Sequence, residues 1–263
     1  MHAFTYERAS SGADAAARAA AGAKLLAGGQ TLLASMKQRL SDPGRLVDLG
    51  GIGELVGIRR TGAALVIGAM TTHLAVTDSA LVQSAIPALA DLAAHIGDRQ
   101  VRAMGTLGGS VANNDPAACY PAAVLGLGAT VHTDRRDIAA DDFFTGMFET
   151  ALAEGELITA VSFPVPARAG WQKFKQPASR FSIVGVFVSQ GPQGVRVAVT
   201  GAGACVFRAS GLEALLAADL PRSWSAAALA AARVSADGFN TDLHGSAEYR
   251  AALVPVLAAR AVG

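Results

Sequence analysis

The sequence predicts an α+β fold. The first fifty residues alternate short strand-like and helical segments, and residues 54–72 have the pattern of an apolar hairpin. After residue 170, three strand-rich segments are followed by alanine-rich helices that run to the C-terminus. Runs of strands followed by runs of helices are typical of α+β architecture.

The N-terminal region predicts a small α/β unit. Ser10 and Ser11 can cap a helix across "GADAAARAAAG", which Gly22 would end. A short strand at residues 24–27, a Gly-Gly step and a helix over about residues 31–40 follow. "RLVDL" predicts a further strand, and "GGIG" after it marks a subdomain boundary near residue 53.

The middle region begins with a predicted hairpin, "ELVGIRRTGAALVIGAMTT", which turns at Thr61-Gly62. "AIPALADLAAHIG" has helical apolar spacing, with Pro87 in its first turn and Gly97 at its end. "GTLGGSVANNDPAACYP" predicts a long loop. "ELITAVSFPVP" predicts a strand that ends at its prolines, and residues 166–170 predict a linker.

Composition excludes several classes of function. The 263 residues are 51% hydrophobic and 16% charged, with a formal net charge of +1, so neither disorder nor an electrostatic nucleic-acid partner is expected. We find no membrane span and no secretory signal in the sequence. Cys119 and Cys205 are too few for a disulfide framework or a cysteine-ligated iron–sulfur cluster. These features predict a soluble protein of a reducing compartment, the cytoplasm.

Two Gly-Gly steps are the main candidates for a binding site. They lie in "AGGQTLL" and in "MGTLGGSVANNDP", and each is followed by a hydroxyl residue. Loops of this kind present backbone N–H groups and short donors that can bind phosphate oxygens without a lysine. The pair therefore suggests a ligand with two phosphates, although both loops are also compatible with ordinary turns.

Other motifs are weak. Gly201-Ala202-Gly203 follows a predicted strand, but Val206 occupies the third position of a dinucleotide-binding fingerprint and no βαβ unit follows. The five histidines have no metal-ligand spacing, and we find neither a nucleophile elbow nor a P-loop. Phosphate loops without acid–base residues suggest that a bound cofactor performs the chemistry. We predict no catalytic residue and no metal ligand on this chain.

Five segments, in order along the chain, carry a family resemblance: "AGGQTLLASMKQRL", "IGAMTTH", "IGDRQVRAMGTLGGSVANNDPAA", "FKQPASRFSIVGVFV" and "DLHGSAEYRAAL". Together they resemble the FAD-binding medium subunit of molybdenum hydroxylases, the family of the carbon monoxide dehydrogenase medium subunit and the xanthine dehydrogenase flavin domain. The resemblance implies a PCMH-type FAD-binding domain at residues 1–167, with subdomains of about 1–53 and 54–167. It also implies a C-terminal domain of the carbon monoxide dehydrogenase flavoprotein type at residues 168–263, with a small three-stranded antiparallel sheet and helices.

The resemblance further implies which residues contact FAD. In the family, the glycines let backbone amides approach the FAD pyrophosphate, Asn113 contacts a ribityl or phosphate group, Ile158 contacts the flavin ring through its backbone, and Lys175 makes a polar contact. The implied cofactor-binding set is Ala27, Gly28, Gly29, Gln30, Thr31, Thr106, Leu107, Gly108, Gly109, Ser110, Asn113, Ile158 and Lys175.

Two positions depart from the family pattern. Cys119 stands where an acidic residue that binds the flavin's polar chain is common, and Phe181 stands where many relatives have a tyrosine. Phe181 can shield the ring but cannot make a hydroxyl contact. Nothing cationic adjoins Cys119 in sequence, so we expect a small packed residue rather than a reactive thiol. His73 is expected to be structural.

The implied function is electron transfer within a heterotrimer. A large subunit would hydroxylate substrate at molybdopterin, a small subunit would carry 2Fe–2S clusters, and FAD on this chain would pass electrons to an external acceptor. Pairing of two such trimers is also implied. Two alternatives remain open from the residues alone, namely a stand-alone NADPH-dependent flavoenzyme of the same fold and a redox-inactive flavin-binding assembly module. The substrate and the terminal acceptor are not encoded in this chain.

Overall fold

The computed structural model describes residues 1–218 and 220–263. The N-terminal region contains a three-stranded parallel sheet in the order β1-β3-β2. Its elements in chain order are β1 (Thr5–Arg8), α1 (Gly12–Ala20), β2 (Lys24–Leu26), α2 (Leu32–Lys37) and β3 (Arg45–Asp48). The Ser11 hydroxyl accepts a hydrogen bond from Asp14 N and so begins α1, as the sequence predicts. Strand β1 was not predicted from the sequence.

The middle region places a five-stranded antiparallel sheet beside a group of short helices. Its first part comprises β4 (Ile58–Thr61), β5 (Ala64–Gly68), α3 (His73–Asp78), α4 (Ala80–Ala85), α5 (Pro87–Ala94), α6 (Arg99–Met104), α7 (Leu107–Asn113) and α8 (Tyr120–Gly126). Its second part comprises β6 (Thr130–Thr133), β7 (Asp137–Ala139), α9 (Ala140–Phe143), β8 (Phe144–Gly146), β9 (Glu149–Thr150) and β10 (Ile158–Pro164). The strand order β4-β5-β10-β6-β7 confirms the hairpin predicted within residues 54–72 and the strand predicted in "ELITAVSFPVP", which is β10 and pairs with β5.

The C-terminal region packs helices against an antiparallel sheet in the order β11-β12-β13-β14. Its elements are β11 (Arg168–Lys175), β12 (Ser182–Gly191), β13 (Gly194–Thr200), β14 (Phe207–Arg208), α10 (Ser210–Ala217) and α11 (Ala247–Val262). The expected three-stranded sheet therefore has a short fourth strand. Because β12 to β14 pair antiparallel, the Gly201–Gly203 segment lies outside a βαβ unit.

The predicted long loop at residues 105–121 is wrong in its central part. Residues 107–113 form α7, and α8 begins at Tyr120. The Thr106 hydroxyl caps α7 by accepting a hydrogen bond from Gly109 N, and Leu107 and Val111 are buried. Glycine costs helix stability of about 1 kcal/mol relative to alanine, which is why the glycine-rich pattern suggested a loop. The cap and the buried side chains offset this cost.

Candidate cofactor site

The two Gly-Gly segments lie side by side. A β-carbon on Gly28 would overlap the carbonyl oxygen of Met104 and lie 2.8 Å from Gly105 Cα. A β-carbon on Gly109 would lie 3.4 Å from the β-carbon of Ala27. Residues 27–31 and 105–110 therefore form two walls of one site, although about eighty positions separate them in the sequence.

The first wall presents backbone amides. It joins β2 to α2, and Gly29 has φ +70°, in the left-handed region that favours glycine. Within the described residues, the backbone N–H groups of residues 27–31 donate to no protein acceptor. Gln30 is exposed, and its side-chain amide donates to Gly28 O at 3.1 Å. These free amides at the start of a helix suit a phosphate group.

The second wall corrects one expectation of the sequence analysis. Its amides are already bonded to protein, since Leu107 N donates to Thr71 O at 3.0 Å and Gly108 N donates to Ala69 O at 2.8 Å. Gly109 N donates to Thr106 Oγ1 and Ser110 N donates to Thr106 O. Their use in the α7 cap and in a contact with residues 69–71 removes them as free donors. Leu107 is buried in the core.

Ser110 and Asn113 remain as donors on α7. Neither side chain forms a hydrogen bond to another described residue, and both are partly exposed. Residues three apart on a helix share one face. Free backbone amides on the first wall and free polar side chains on the second fit a ligand with a pyrophosphate and polar groups, as FAD has.

Ile158 and Lys175 lie outside the contact between the two walls. Ile158 is buried at the beginning of β10, where a bulge interrupts the pairing with β6. Lys175 is exposed at the end of β11 and has no hydrogen-bonding partner among the described residues. Nothing in the geometry joins either residue to the glycine-rich segments.

Sequence reasoning missed Lys173. Its ammonium donates to His95 O at 3.0 Å and lies 3.2 Å from Cys119 Sγ, so a cation does adjoin the buried Cys119. Ser182 Oγ lies 3.8 Å from the same sulfur. Lys173 and Lys175 are two residues apart on one strand, and side chains with this spacing point to the same face of a sheet. This alternation was the sequence signal that could have pointed to Lys173.

His73 supports the second wall from below. It is buried, and its backbone N–H donates to Gly105 O at 2.9 Å. The centroid of its imidazole ring lies 5.2 Å from the ring centroid of Tyr120. Burial and, to a smaller extent, the Arg102 charge lower the pKa of His73 to about 4. The imidazole is therefore neutral at pH 7 and acts as a packed residue.

Phe181 is about half exposed beside Arg180, which has φ +62° at the turn between β11 and β12. Arg180 Nη1 donates to Gly97 O at 3.2 Å, so this turn contacts the segment that precedes α6.

In residues 1–218 and 220–263, no group of three His, Cys, Asp or Glu side chains is placed to hold a metal ion.

A family model described as the FAD binding domain in molybdopterin dehydrogenase matches residues 2–166. The chain belongs to this family. The carbon monoxide dehydrogenase medium chain of Afipia carboxidovorans is 36% identical over 230 residues, which span 79% of this chain and 76% of that protein. The nicotine 6-hydroxylase medium subunit of Paenarthrobacter nicotinovorans is 34% identical over 215 residues, with spans of 78% and 76%.

Solved structures agree with this family assignment. Reconstituted carbon monoxide dehydrogenase from Oligotropha carboxidovorans matches with a TM-score of 0.90 and 33% identity, over 99% of this chain and 96% of that one. These matches confirm the resemblance, the mixed helix-and-sheet fold and FAD as the cofactor. The chain is therefore an oxidoreductase subunit. In the part of the chain that the structure describes, no helix has the length and apolarity to cross a bilayer.

Proposed function

We propose that this chain is the FAD-binding electron-transfer subunit of a heterotrimeric molybdenum hydroxylase. It receives electrons from 2Fe–2S clusters of a small partner and passes them through FAD to an external acceptor. The observation that carries the proposal is the contact between residues 27–31 and 105–110, which builds one site from two distant segments. Family membership and relatives named as medium subunits support the assignment to a complex.

We assign the two walls different roles in FAD binding. The free amides of Ala27, Gly28, Gly29, Gln30 and Thr31 hold the pyrophosphate. On the second wall, Thr106, Leu107, Gly108 and Gly109 shape the site, while Ser110 and Asn113 donate to the polar parts of FAD. Ile158 and Lys175 are assigned to the flavin end by the family resemblance.

FAD, when bound, supplies the capacity to accept and release electrons. The residues of this chain bind and orient it, and the proposal assigns no proton-transfer step to any of them. Substrate oxidation then belongs to a large molybdopterin subunit, and cluster chemistry belongs to the small subunit. We propose domains at 1–167 and 168–263, pairing of two heterotrimers, and a cytoplasmic location, where free thiols such as those of Cys119 and Cys205 persist.

The first experiment identifies the cofactor. The full-length protein is purified and denatured, and the released flavin is separated by chromatography. We expect FAD at about one molecule per chain. Release of FMN, or of no flavin from a protein prepared with its partner subunits, would contradict the assignment.

A substitution tests the site itself. Gly28→Ala is a poor probe, because the new methyl group would collide with the Met104 carbonyl and disturb the fold directly. Ser110→Ala removes a hydroxyl with no protein partner, so we expect unchanged stability and a rise in Kd for FAD of about two- to tenfold. Ser210→Ala, on α10, is the matched control, because this exposed hydroxyl likewise has no hydrogen-bonding partner among the described residues. Equal FAD affinity in both variants and the unmodified protein would exclude a Ser110 contact.

A further inference from the structure

Three cationic side chains converge on the backbone carbonyls that follow α5. Lys173 donates to His95 O at 3.0 Å, Arg102 Nη1 donates to Ile96 O at 3.0 Å, and Arg180 Nη1 donates to Gly97 O at 3.2 Å. We call Arg102, Lys173 and Arg180 the cation cluster. They come from α6, β11 and the turn after β11, so the cluster joins the FAD-binding region to the C-terminal sheet.

The charge of this cluster is not compensated by acidic side chains. Among the residues that the structure describes, no carboxylate lies within 4.0 Å of any of the three cations. The nearest acidic residues in sequence are otherwise engaged, since Asp91 pairs with His95 Nδ1 and Asp98 caps α6 through Val101 N. Arg102 Nε is buried without a hydrogen-bonding partner. Backbone carbonyls at a helix end offset only part of such a charge.

The cluster lies next to the cofactor site. Gly97 and Gly105 flank α6, whose six residues span about 9 Å. Lys173 also lies 3.2 Å from Cys119 Sγ, on the segment that follows α7. Gly105 begins the second wall, so one short helix separates the carbonyls that bind the cation cluster from the candidate cofactor site.

We propose that Lys173, together with Arg102 and Arg180, stabilises the negative charge that FAD acquires on reduction. This inference rests on the proposed function. When FAD takes up two electrons and one proton, its ring becomes a monoanion. A cation within about 4–6 Å favours an anionic group by roughly one to three pK units, and more when water is excluded.

Lys173 is the residue to test, because its contacts distinguish it from Lys175. Lys173 is partly buried and contacts Cys119 and His95, whereas Lys175 is exposed and has no described partner. The resemblance points to Lys175, and the geometry points to Lys173. The two assignments therefore differ in which lysine, when substituted, should weaken the binding of reduced FAD more than that of oxidised FAD.

The experiment compares Lys173→Gln, Lys173→Arg, Lys175→Gln and the exposed Lys37→Gln control on α2. The measurements are the Kd of the apoprotein for oxidised FAD and for reduced FAD, together with the Kd of the holoprotein for sulfite. Sulfite forms a bond to flavin N5, and its electron pair passes into the ring, which becomes anionic. Sulfite affinity therefore reports stabilisation of ring charge without turnover.

For Lys173→Gln we expect reduced FAD to lose about tenfold more affinity than oxidised FAD, and the sulfite Kd to rise by a similar factor. The tenfold ratio corresponds to a potential about 30 mV lower for the two-electron couple. Lys173→Arg should restore most of the difference, and Lys37→Gln should show none. Equal losses for both redox states of FAD would show a purely structural role and overturn the proposal, as would a shift found at Lys175→Gln but absent at Lys173→Gln. Failure of the unmodified protein to bind FAD would instead refute the proposed function.

Discussion

Gly28 and Gly108 are glycines because neighbouring backbone occupies the space of a side chain. A β-carbon on Gly28 would overlap the Met104 carbonyl, and one on Gly108 would lie 2.8 Å from Ala69 O. The close approach expected from a ligand is therefore also an approach between segments of the protein. We assign FAD binding to the free amides of residues 27–31 and to the side chains of Ser110 and Asn113, whereas Gly28 and Gly108 bring the two walls together.

His73 makes stability depend on pH. Its pKa is about 4 in the folded protein, against an ordinary value of 6.5, because burial disfavours the imidazolium. Below pH 6.5 the unfolded chain binds a proton that the folded chain does not, so stability falls as the pH falls and levels off below about pH 4. The loss attributable to His73 is about 3 kcal/mol.

Denaturant unfolding between pH 7 and pH 4, read as the free energy of unfolding, measures this dependence. His73→Gln should flatten the dependence, whereas His244→Gln, at an exposed histidine, should not. The same acid loss in His73→Gln and in the unmodified protein would assign it to other groups.

Helix α7 shows how a cap can override weak local propensity. Two glycines occupy its first turn, and yet it is helical, because Thr106 caps it and Leu107 and Val111 are buried beneath it. Asn114 ends α7 at φ +41°, and its side-chain amide donates to Gly146 O and Glu149 O. The helix is thus held at both ends, which positions Ser110 and Asn113 in the site.

Removal of the cap should destabilise this helix. Thr106→Ala leaves Gly109 N without its acceptor, and we expect a loss of about 0.5–2 kcal/mol in the free energy of unfolding. Thr106→Ser keeps the hydroxyl and should retain most of that stability. Because the second wall moves with α7, FAD affinity should fall in the alanine variant and be largely kept in the serine variant. Equal behaviour of the two variants would contradict a capping role.

The largest hydrophobic core crosses from the middle region into the C-terminal sheet. It contains Phe163 of β10 and Val131 of β6, together with Trp171 and Phe187 of the C-terminal sheet. Shared packing of this kind holds β11 and the turn at Arg180 against residues 95–97. The position of the cation cluster consequently depends on packing between the middle region and the C-terminal sheet.

Electron transfer is tested with the full-length protein, alone and together with its proposed iron–sulfur partner. The isolated protein should bind FAD and yet show no bleaching of the flavin by organic substrates, because the proposed substrate chemistry lies on another subunit. Addition of the reduced iron–sulfur subunit should bleach the flavin absorbance. Reduction by an organic substrate alone, or turnover with NADPH, would support the stand-alone flavoenzyme instead.

The sequence by itself determined the elements whose signals are local. Ser11 and Gly22 bounded α1, Gly62 turned the β4–β5 hairpin, Pro87 began α5, and the five resembling segments identified the FAD-binding family. These signals depend on backbone conformation and residue spacing along one segment, which a sequence displays directly.

Only the tertiary structure decided which groups meet. It bonded the amides of the second wall to residues 69–71 and Thr106, formed α7 in place of a loop, and set Lys173 beside Cys119. Each of these outcomes depends on contacts between segments far apart in sequence. Local propensity is worth about 1 kcal/mol per residue, and burial and capping from distant segments outweigh it.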